Sequence, residues 1–303
     1  MNTQQGKQPL VSIIMNCYNG EAYLSESIKS VLSQTYTNWE LIFWDNKSED
    51  KSAEIFKSYK DERFKYFCAV ERTSLYKARN LAIEKAEGDF ISFLDTDDLW
   101  ENQKLELQML YFSNSEIGVV FSNLWIFKKK IENKKIYSKK KLPSGKIYKN
   151  LIKEYNVGII TTVIRKKFYL DLKKKFDERF SIIGDFDLIL RLSKICLFKS
   201  VQKPLAFYRL HGKNLSTLDK NREINEFEIW IKENKYDLSK SQIKKIQKNV
   251  NYRKFVNCKI DRDYKECARM LIKMEINPFN IKCLIVLLAP ISLLKKLMWY
   301  HQD

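Results

Sequence analysis

The stretch Gly88-Asp89-Phe90-Ile91-Ser92-Phe93-Leu94-Asp95-Thr96-Asp97-Asp98 constrains this chain more than any other, because a short apolar run ends in three carboxylates within four positions. Residues 90–94 read as a buried central strand, with β-branched and aromatic side chains and a glycine just upstream. Asp95, Asp97 and Asp98 then stand at its carboxyl end. Their mutual repulsion is relieved there either by protonation or by a divalent cation. Hard oxygen ligands suit Mn²⁺ or Mg²⁺, which commonly complete their shell with substrate phosphates. In open α/β sheets the ligand crevice lies at this end of the strands. Asp98-Leu99-Trp100-Glu101 is also a capping signature for a helix carrying Leu105, Met109 and Phe112. Capping accounts for Asp98 alone, whereas Asp95 and Asp97 call for metal and phosphate chemistry.

Around this stretch, strand and helix alternate. Residues 10–16 predict a first strand ending at the turn Tyr18-Asn19-Gly20, and Leu24, Ile28, Val31 and Leu32 recur at helical spacing after it. A second strand over 39–44 closes in Asp45-Asn46-Lys47-Ser48. A polar helix over 52–59, a third strand near 64–70 and a helix over about 75–86 lead back to the acidic strand. The first hundred residues or so therefore predict a parallel sheet with crossover helices, a nucleotide-binding layout. Beyond it the patterns predict a helix over 101–113, a strand over 118–122, a lysine-rich insert and a strand-like 157–165. A helix over 185–196, an extended 197–208 and helices past Asp219 follow.

Composition bounds the class. With 45% hydrophobic and 13% aromatic residues in 303, the chain is globular. Its start is polar, with no secretory pattern. The six cysteines form no C-x-x-C pair and have no histidines at metal spacing, as expected of reduced thiols in a cytosolic protein. The net charge of +18 favours polyanionic partners: nucleic acid, anionic lipid or nucleotide diphosphates. Eleven lysines between 128 and 153 face a single acid, Glu132, which makes either a solvated loop or a surface for anionic lipid. Residues 281–294 are the most apolar in the chain and precede Lys295, Lys296, Trp299 and Tyr300. At about 1.5 Å per residue this run is too short for a hydrocarbon core of roughly 30 Å. It suits either the membrane interface or packing on the protein's own core.

As an ordered set, Asn16-Cys17-Tyr18-Asn19, Ser30-Val31-Leu32-Ser33-Gln34-Thr35-Tyr36, Trp39-Glu40-Leu41-Ile42, Ala78-Arg79-Asn80, Ala86-Glu87-Gly88-Asp89 and Asp95-Thr96-Asp97-Asp98 resemble family 2 glycosyltransferases of the GT-A fold. The likeness runs to about Leu215. Phe176-Asp177-Glu178-Arg179-Phe180 and Gly184-Asp185-Phe186-Asp187-Leu188 resemble the segment that carries the family's catalytic base. Tyr208-Arg209-Leu210-His211, with Asn214 and Ser216, resembles a closing motif of bacterial members.

The resemblance implies an α/β, Rossmann-like, mostly parallel GT-A sheet over 1–218, with a nucleotide-binding half of about 8–115 and an acceptor-binding half of about 116–218. A helical region over 219–303 includes the possible membrane-interface segment 281–300. It implies a single-sugar, inverting transfer from a nucleotide-diphosphate donor, a UDP-sugar in first place, to a glycan or lipid-linked acceptor. The setting is the cytoplasm or the inner face of the plasma membrane, and no nucleic-acid partner is expected. Asp97 and Asp98 would hold the metal, joined by His211. Asp95 or Asp97 would reach the ribose, Asn16 and Tyr18 would line the base pocket, and Arg79 would sit near the nucleotide. Asp185 would be the base, with helix capping and a competing Asp187 as its alternatives.

The chain departs from the family pattern in two places. Where two acids are common it has Asp45-Asn46, followed by Lys47 instead of glycine, and where many relatives have glutamate before the base it has Gly184. Asn46 can still accept from a nucleobase through its carbonyl oxygen. Two other readings stay open on sequence alone. One is a basic nucleic-acid-binding protein, although no recognised binding signature occurs. The other is a nucleotidyltransferase, which would be expected to show a glycine-rich basic loop in place of Tyr18-Asn19-Gly20-Glu21.

Overall fold

The computed structural model describes residues 8–212, 214–215, 219–272, 278–291 and 294. In it β1 (Val11–Cys17) pairs in parallel with β2 (Trp39–Asp45) on one side and β4 (Phe90–Phe93) on the other, and β3 (Phe64–Cys68) extends the sheet beyond β2. The helices α1 (Leu24–Leu32), α2 (Ser52–Ser58) and α3 (Leu75–Glu84) make the crossovers. Strands β2 and β4 are buried along their whole length, which explains apolar runs without alternation. The chain runs outward from β1 to β3 and then returns to the opposite flank for β4. The strand order thus reverses between β1 and β4, the point at which such a sheet opens a crevice.

The rest of the sheet is mixed. After β5 (Leu99–Trp100) and α4 (Lys104–Met109) come β6 (Ile117–Phe127), β7 (Lys135–Ile136), α5 (Tyr148–Lys153), β8 (Val163–Arg165), α6 (Lys166–Asp171), α7 (Gly184–Ile195) and β9 (Leu197–Arg209). The spatial order is β3-β2-β1-β4-β8-β6-β9-β5, with β7 on β6. Strand β8 runs antiparallel to both β4 and β6, and β6 and β9 are parallel.

Three local expectations change. Asp98 caps no helix: Leu99 and Trp100 pair with Phe207 and Ala206 of β9, and α4 begins only at Lys104 behind Gln103. The buried Trp100 indole, whose N–H donates to the Ile160 carbonyl at 2.9 Å, holds this segment extended. Of residues 157–165, only Val163–Arg165 is strand; Ile159–Thr161 is a tight helical turn closed by the Thr161 hydroxyl on the Gly158 carbonyl. The lysine-rich insert starts after a β6 longer than expected and contains β7 and α5.

The chain divides into two compact units, Met1–His211 and Gly212–Asp303; the sequence had suggested a boundary at 218/219, and residues 216–218 lie outside the described ones. The second unit holds α8 (Lys220–Asn234), α9 (Lys240–Ile260), α10 (Tyr264–Ile272) and α11 (Pro278–Leu288). Its core gathers Phe255, Val256, Cys267, Cys283 and Val286. Helix α11 therefore packs one side inward while Leu284, Ile285 and Leu288 stay exposed. No helix among the described residues is long and apolar enough to cross a membrane. Lys295, Lys296, Trp299 and Tyr300 lie outside the described residues.

Lys104, the first residue of α4, is completely buried. Its ammonium donates to Ser92 Oγ at 3.0 Å and lies 3.9 Å from the Trp100 ring, and among the described residues no carboxylate pairs with it. Burial pushes its pKa well below the ordinary lysine value. The unfolded chain then binds the extra proton more readily than the folded one, so stability rises with pH towards about 10.4 and falls as pH drops. Lys104→Met is expected to raise the unfolding free energy at pH 7 by on the order of 1 kcal/mol and to flatten its rise towards pH 9. Urea denaturation at the two pH values checks both.

Candidate active site

The acid turn follows β4 directly and is folded against the first turn of the chain. A Cβ at Gly20 would stand 2.8 Å from Thr96 Oγ1, so only glycine allows that approach. Ser27 Oγ of α1 lies 2.8 Å from the Thr96 carbonyl and 2.7 Å from that of Asp98.

The three carboxylates take three different partners. Asp95 Oδ1 accepts from Arg79 Nη2 at 2.8 Å, and Asp97 Oδ2 lies 2.9 Å from His211 Nε2. Asp98 Oδ1 accepts from the Arg209 backbone N–H at 2.8 Å, while its second oxygen is buried without a partner. Arg209 completes the clamp, with Nε donating to the Asp97 carbonyl and Nη2 to Glu26. Burial first, then the charges of Asp97 and Asp95, push the Asp98 carboxyl well above the usual range. Of the three acids, Asp98 is the one sealed from solvent.

Asp97 and His211 reach solvent, with side chains 26% and 19% exposed. Among the described residues no group of three or more metal-ligating side chains converges. A carboxylate beside an imidazole still fits a dication such as Mn²⁺ that takes its remaining oxygens from diphosphate and water.

At the carboxyl end of β1 and β2, both polar atoms of the Asn16 amide and the indole N–H of its register partner Trp44 are buried without partners. Such orphaned groups are rare and call for an explanation. Tyr18 is 38% exposed, and the Arg72 guanidinium stacks 3.8 Å from its ring centre while donating to its hydroxyl. Asp45 and Asn46 come to the same end but face inward. Asp45 accepts from the Ser48 N–H and the Tyr66 hydroxyl, each at 2.7 Å. Asn46 exchanges hydrogen bonds with the Thr73 backbone at 2.8 and 3.1 Å. Contact with a nucleobase through the Asn46 carbonyl would require breaking that exchange. The residue after it, Lys47, holds φ at 69°, the left-handed region where glycine is at ease.

The N–H groups of Asn19, Gly20 and Glu21 are taken by Ser48 Oγ, Ser52 Oγ and Asp50 Oδ2. They make no phosphate-binding loop of the kind a nucleotidyltransferase would need.

Asp185 lies in the first turn of α7, its Oδ1 accepting from the Phe186 N–H at 2.8 Å and the Tyr76 hydroxyl at 3.4 Å. Burial raises its pKa above the ordinary aspartate value, with Arg79 pulling the other way. Asp187 is held by Arg191 through Nε at 3.0 Å and Nη2 at 2.7 Å. Arg79 is not a surface residue: it is buried, ringed by Tyr76, Phe93 and Phe176, and its charge acts on Asp95 and Asp185 alike. Its neighbour Asn80 donates to the Phe176 carbonyl and Glu178, tying α3 to the segment that leads to Asp185.

A cavity of ≈870 Å³ sits at the wrong end of the strands, around Pro9, Gly88 and Arg165, while a cleft of ≈430 Å³ between Phe127, Lys129, Lys130 and Arg209 adjoins the acid turn. Arg72, Thr73, Tyr66 and Tyr76 were missed in the sequence, where nothing in their spacing distinguishes them. Arg209 stood in a recognised motif but without a role.

The chain is similar to known proteins in both sequence and fold. Residues 12–176 match the family described as glycosyl transferase family 2. The Escherichia coli protein UDP-Glc:alpha-D-GlcNAc-diphosphoundecaprenol beta-1,3-glucosyltransferase WfgD is 39% identical over 155 residues, 51% of this chain. The chain spans 60% of that relative's length. Among solved structures, S. aureus TarS 1–349 in complex with UDP-GlcNAc superposes with a TM-score of 0.61 at 16% identity, covering 90% of this chain and 79% of that one. The mannosyltransferase PcManGT from Pyrobaculum calidifontis, in complex with GDP-Man and Mn²⁺, gives 0.62 at 13% identity, covering 97% and 85%. At such identities the two structures establish the shared fold.

Proposed function

Because the chain belongs to glycosyl transferase family 2, we propose that it is an inverting, metal-dependent glycosyltransferase moving one sugar from a nucleotide-diphosphate donor to a hydroxyl of a glycan or lipid-linked acceptor. The observation that carries the reading is the convergence, where strand order reverses, of the solvent-reaching Asp97–His211 pair with Asp95, Arg79 and the raised Asp185. A UDP-sugar is the favoured donor, since WfgD is named for UDP-Glc and TarS was solved with UDP-GlcNAc.

The residues take these roles. Asp97 and His211 would hold Mn²⁺ or Mg²⁺, which when bound offsets the charge on the leaving diphosphate. Asp98 supports that turn through Arg209. Tyr18, with Arg72 across its ring, and the unpaired Asn16 amide would receive the base, and Asp95 the ribose. Asp45 and Asn46 brace the pocket wall. Asp185 takes the proton from the acceptor hydroxyl as that oxygen attacks the anomeric carbon. The bond to the diphosphate breaks on the opposite face, and its electron pair leaves with the phosphate oxygen. A base with a raised pKa suits this step near neutral pH.

Within the first unit, the exposed lysines from Lys128 to Lys149 suit an anionic membrane face where a lipid-linked acceptor resides. Within the second, taken by itself, the uncovered Leu284, Ile285 and Leu288 of α11 suit a membrane interface. Incubation with a panel of nucleotide sugars, with and without Mn²⁺ and anionic vesicles, tests the reading. Release of one nucleoside diphosphate, dependent on the cation, is expected. No release from any donor would contradict it.

A further inference from the structure

Gly184 stands immediately before the proposed base, and one side chain explains why it has no side chain of its own. A Cβ at 184 would lie 2.5 Å from Cδ2 and Cε2 of Tyr76 and 2.7 Å from its Cζ. The Tyr76 ring is buried, stacked on Phe176 at 5.3 Å, and pressed against bare backbone. Its hydroxyl lies 2.9 Å from the Ile182 carbonyl and 3.4 Å from Asp185 Oδ1. One phenol from α3 therefore touches the chain at Ile182, Gly184 and Asp185.

We propose that Tyr76 is a positioning residue for Asp185: its ring sets the path of the 182–184 turn and its hydroxyl, with the Phe186 N–H, holds Oδ1 so that Oδ2 meets the acceptor hydroxyl. This rests on the reading of Asp185 as the base. An aspartate in the first turn of a helix can swing outward as an ordinary cap. Here Oδ1 accepts from the Phe186 N–H and from the longer arm of the single Tyr76 O–H, whose shorter arm is anchored on the Ile182 carbonyl, and that pair of contacts restrains the swing. The donors come from α3 and α7, and the α3 donor sits one turn before Arg79, so the same helix supplies both the hydroxyl and the opposing charge.

Tyr76→Phe tests the proposal, because it keeps the ring on Phe176 and Gly184 and removes only the hydroxyl. The expected result is a kcat lower by about tenfold with donor KM unchanged within about twofold, as for a misplaced reacting group. The acid limb of the kcat profile should also move upward, since a donor to the carboxylate is lost. Arg79, Asp95 and Tyr155 and the Phe186 N–H, which also act on Asp185 or face it, are untouched by the change. Gly184→Ala displaces the ring from the other side and should lower kcat with Tyr76 intact, so a folding defect in one variant leaves the other as the arbiter. A Tyr76→Phe protein with a lower melting temperature but wild-type kcat and acid limb would overturn the positioning role. Asp185→Asn run in parallel separates the two ideas: full activity there removes the base itself, whereas an inactive Asp185→Asn beside a normal Tyr76→Phe removes only this proposal.

Discussion

Asp185→Asn is expected to lower kcat by about a thousandfold while leaving the donor KM within about twofold, because the side chain acts on the acceptor proton and not on the nucleotide. Asparagine is nearly isosteric and keeps an oxygen for the Phe186 N–H, so α7 should start as before. What is lost is the basic carboxylate. The neighbouring Asp187 is not a substitute, since two donors of Arg191 hold its Oδ2. In the wild type, activity should rise with pH through a limb above the ordinary aspartate value of about 3.9, since burial favours the protonated form of Asp185 and catalysis needs the ionised one. A kcat–pH profile measured with saturating donor reports that limb directly.

Asp97→Asn is expected to be the other severe lesion. The carboxylate beside His211 is the acid of the turn that both reaches solvent and has an imidazole next to it. Removing its charge should cost about 10² to 10³ in kcat, the scale on which charge stabilisation of a leaving group operates. It should also abolish the gain in nucleotide affinity on adding Mn²⁺. Asp98→Asn is the contrast. Asp98 is sealed, and its carboxylate accepts from the Arg209 N–H through Oδ1. An asparagine oxygen can accept that bond, so the cation response should survive. Calorimetry of nucleoside diphosphate binding on both variants distinguishes a ligand from a brace.

The sequence was legible where burial is uniform. Strands β2 and β4 lie inside the sheet, so their apolar runs named them, and the acids follow β4 where the strand order reverses. It was opaque where a short element depends on a distant partner. Leu99 and Trp100 look like the start of a capped helix; they are extended because Ala206 and Phe207, more than a hundred positions away, offer an edge to pair with. The same distance hid the partners of the acids. Nothing near Asp95 announces Arg79, and nothing near Asp98 announces the Arg209 amide. Only the family resemblance offered Asn46, beside Asp45, as a base contact. Tyr66 and Thr73 turn them inward, and both partners come from segments further along the chain. Nothing in the sequence around Lys104 announces its burial either, since the Trp100 ring and the Ser92 hydroxyl that enclose it meet it only in the fold.

Titration of UDP and of GDP into the wild-type protein, each with and without Mn²⁺, is the most direct test of the site at the junction of β1 and β4. At least one of the two diphosphates should bind, more tightly with the cation, and the increment should vanish in Asp97→Asn. Binding that ignores Mn²⁺, or an increment that persists without the Asp97 carboxylate, would contradict the assignment of that aspartate and His211 to the metal-diphosphate site.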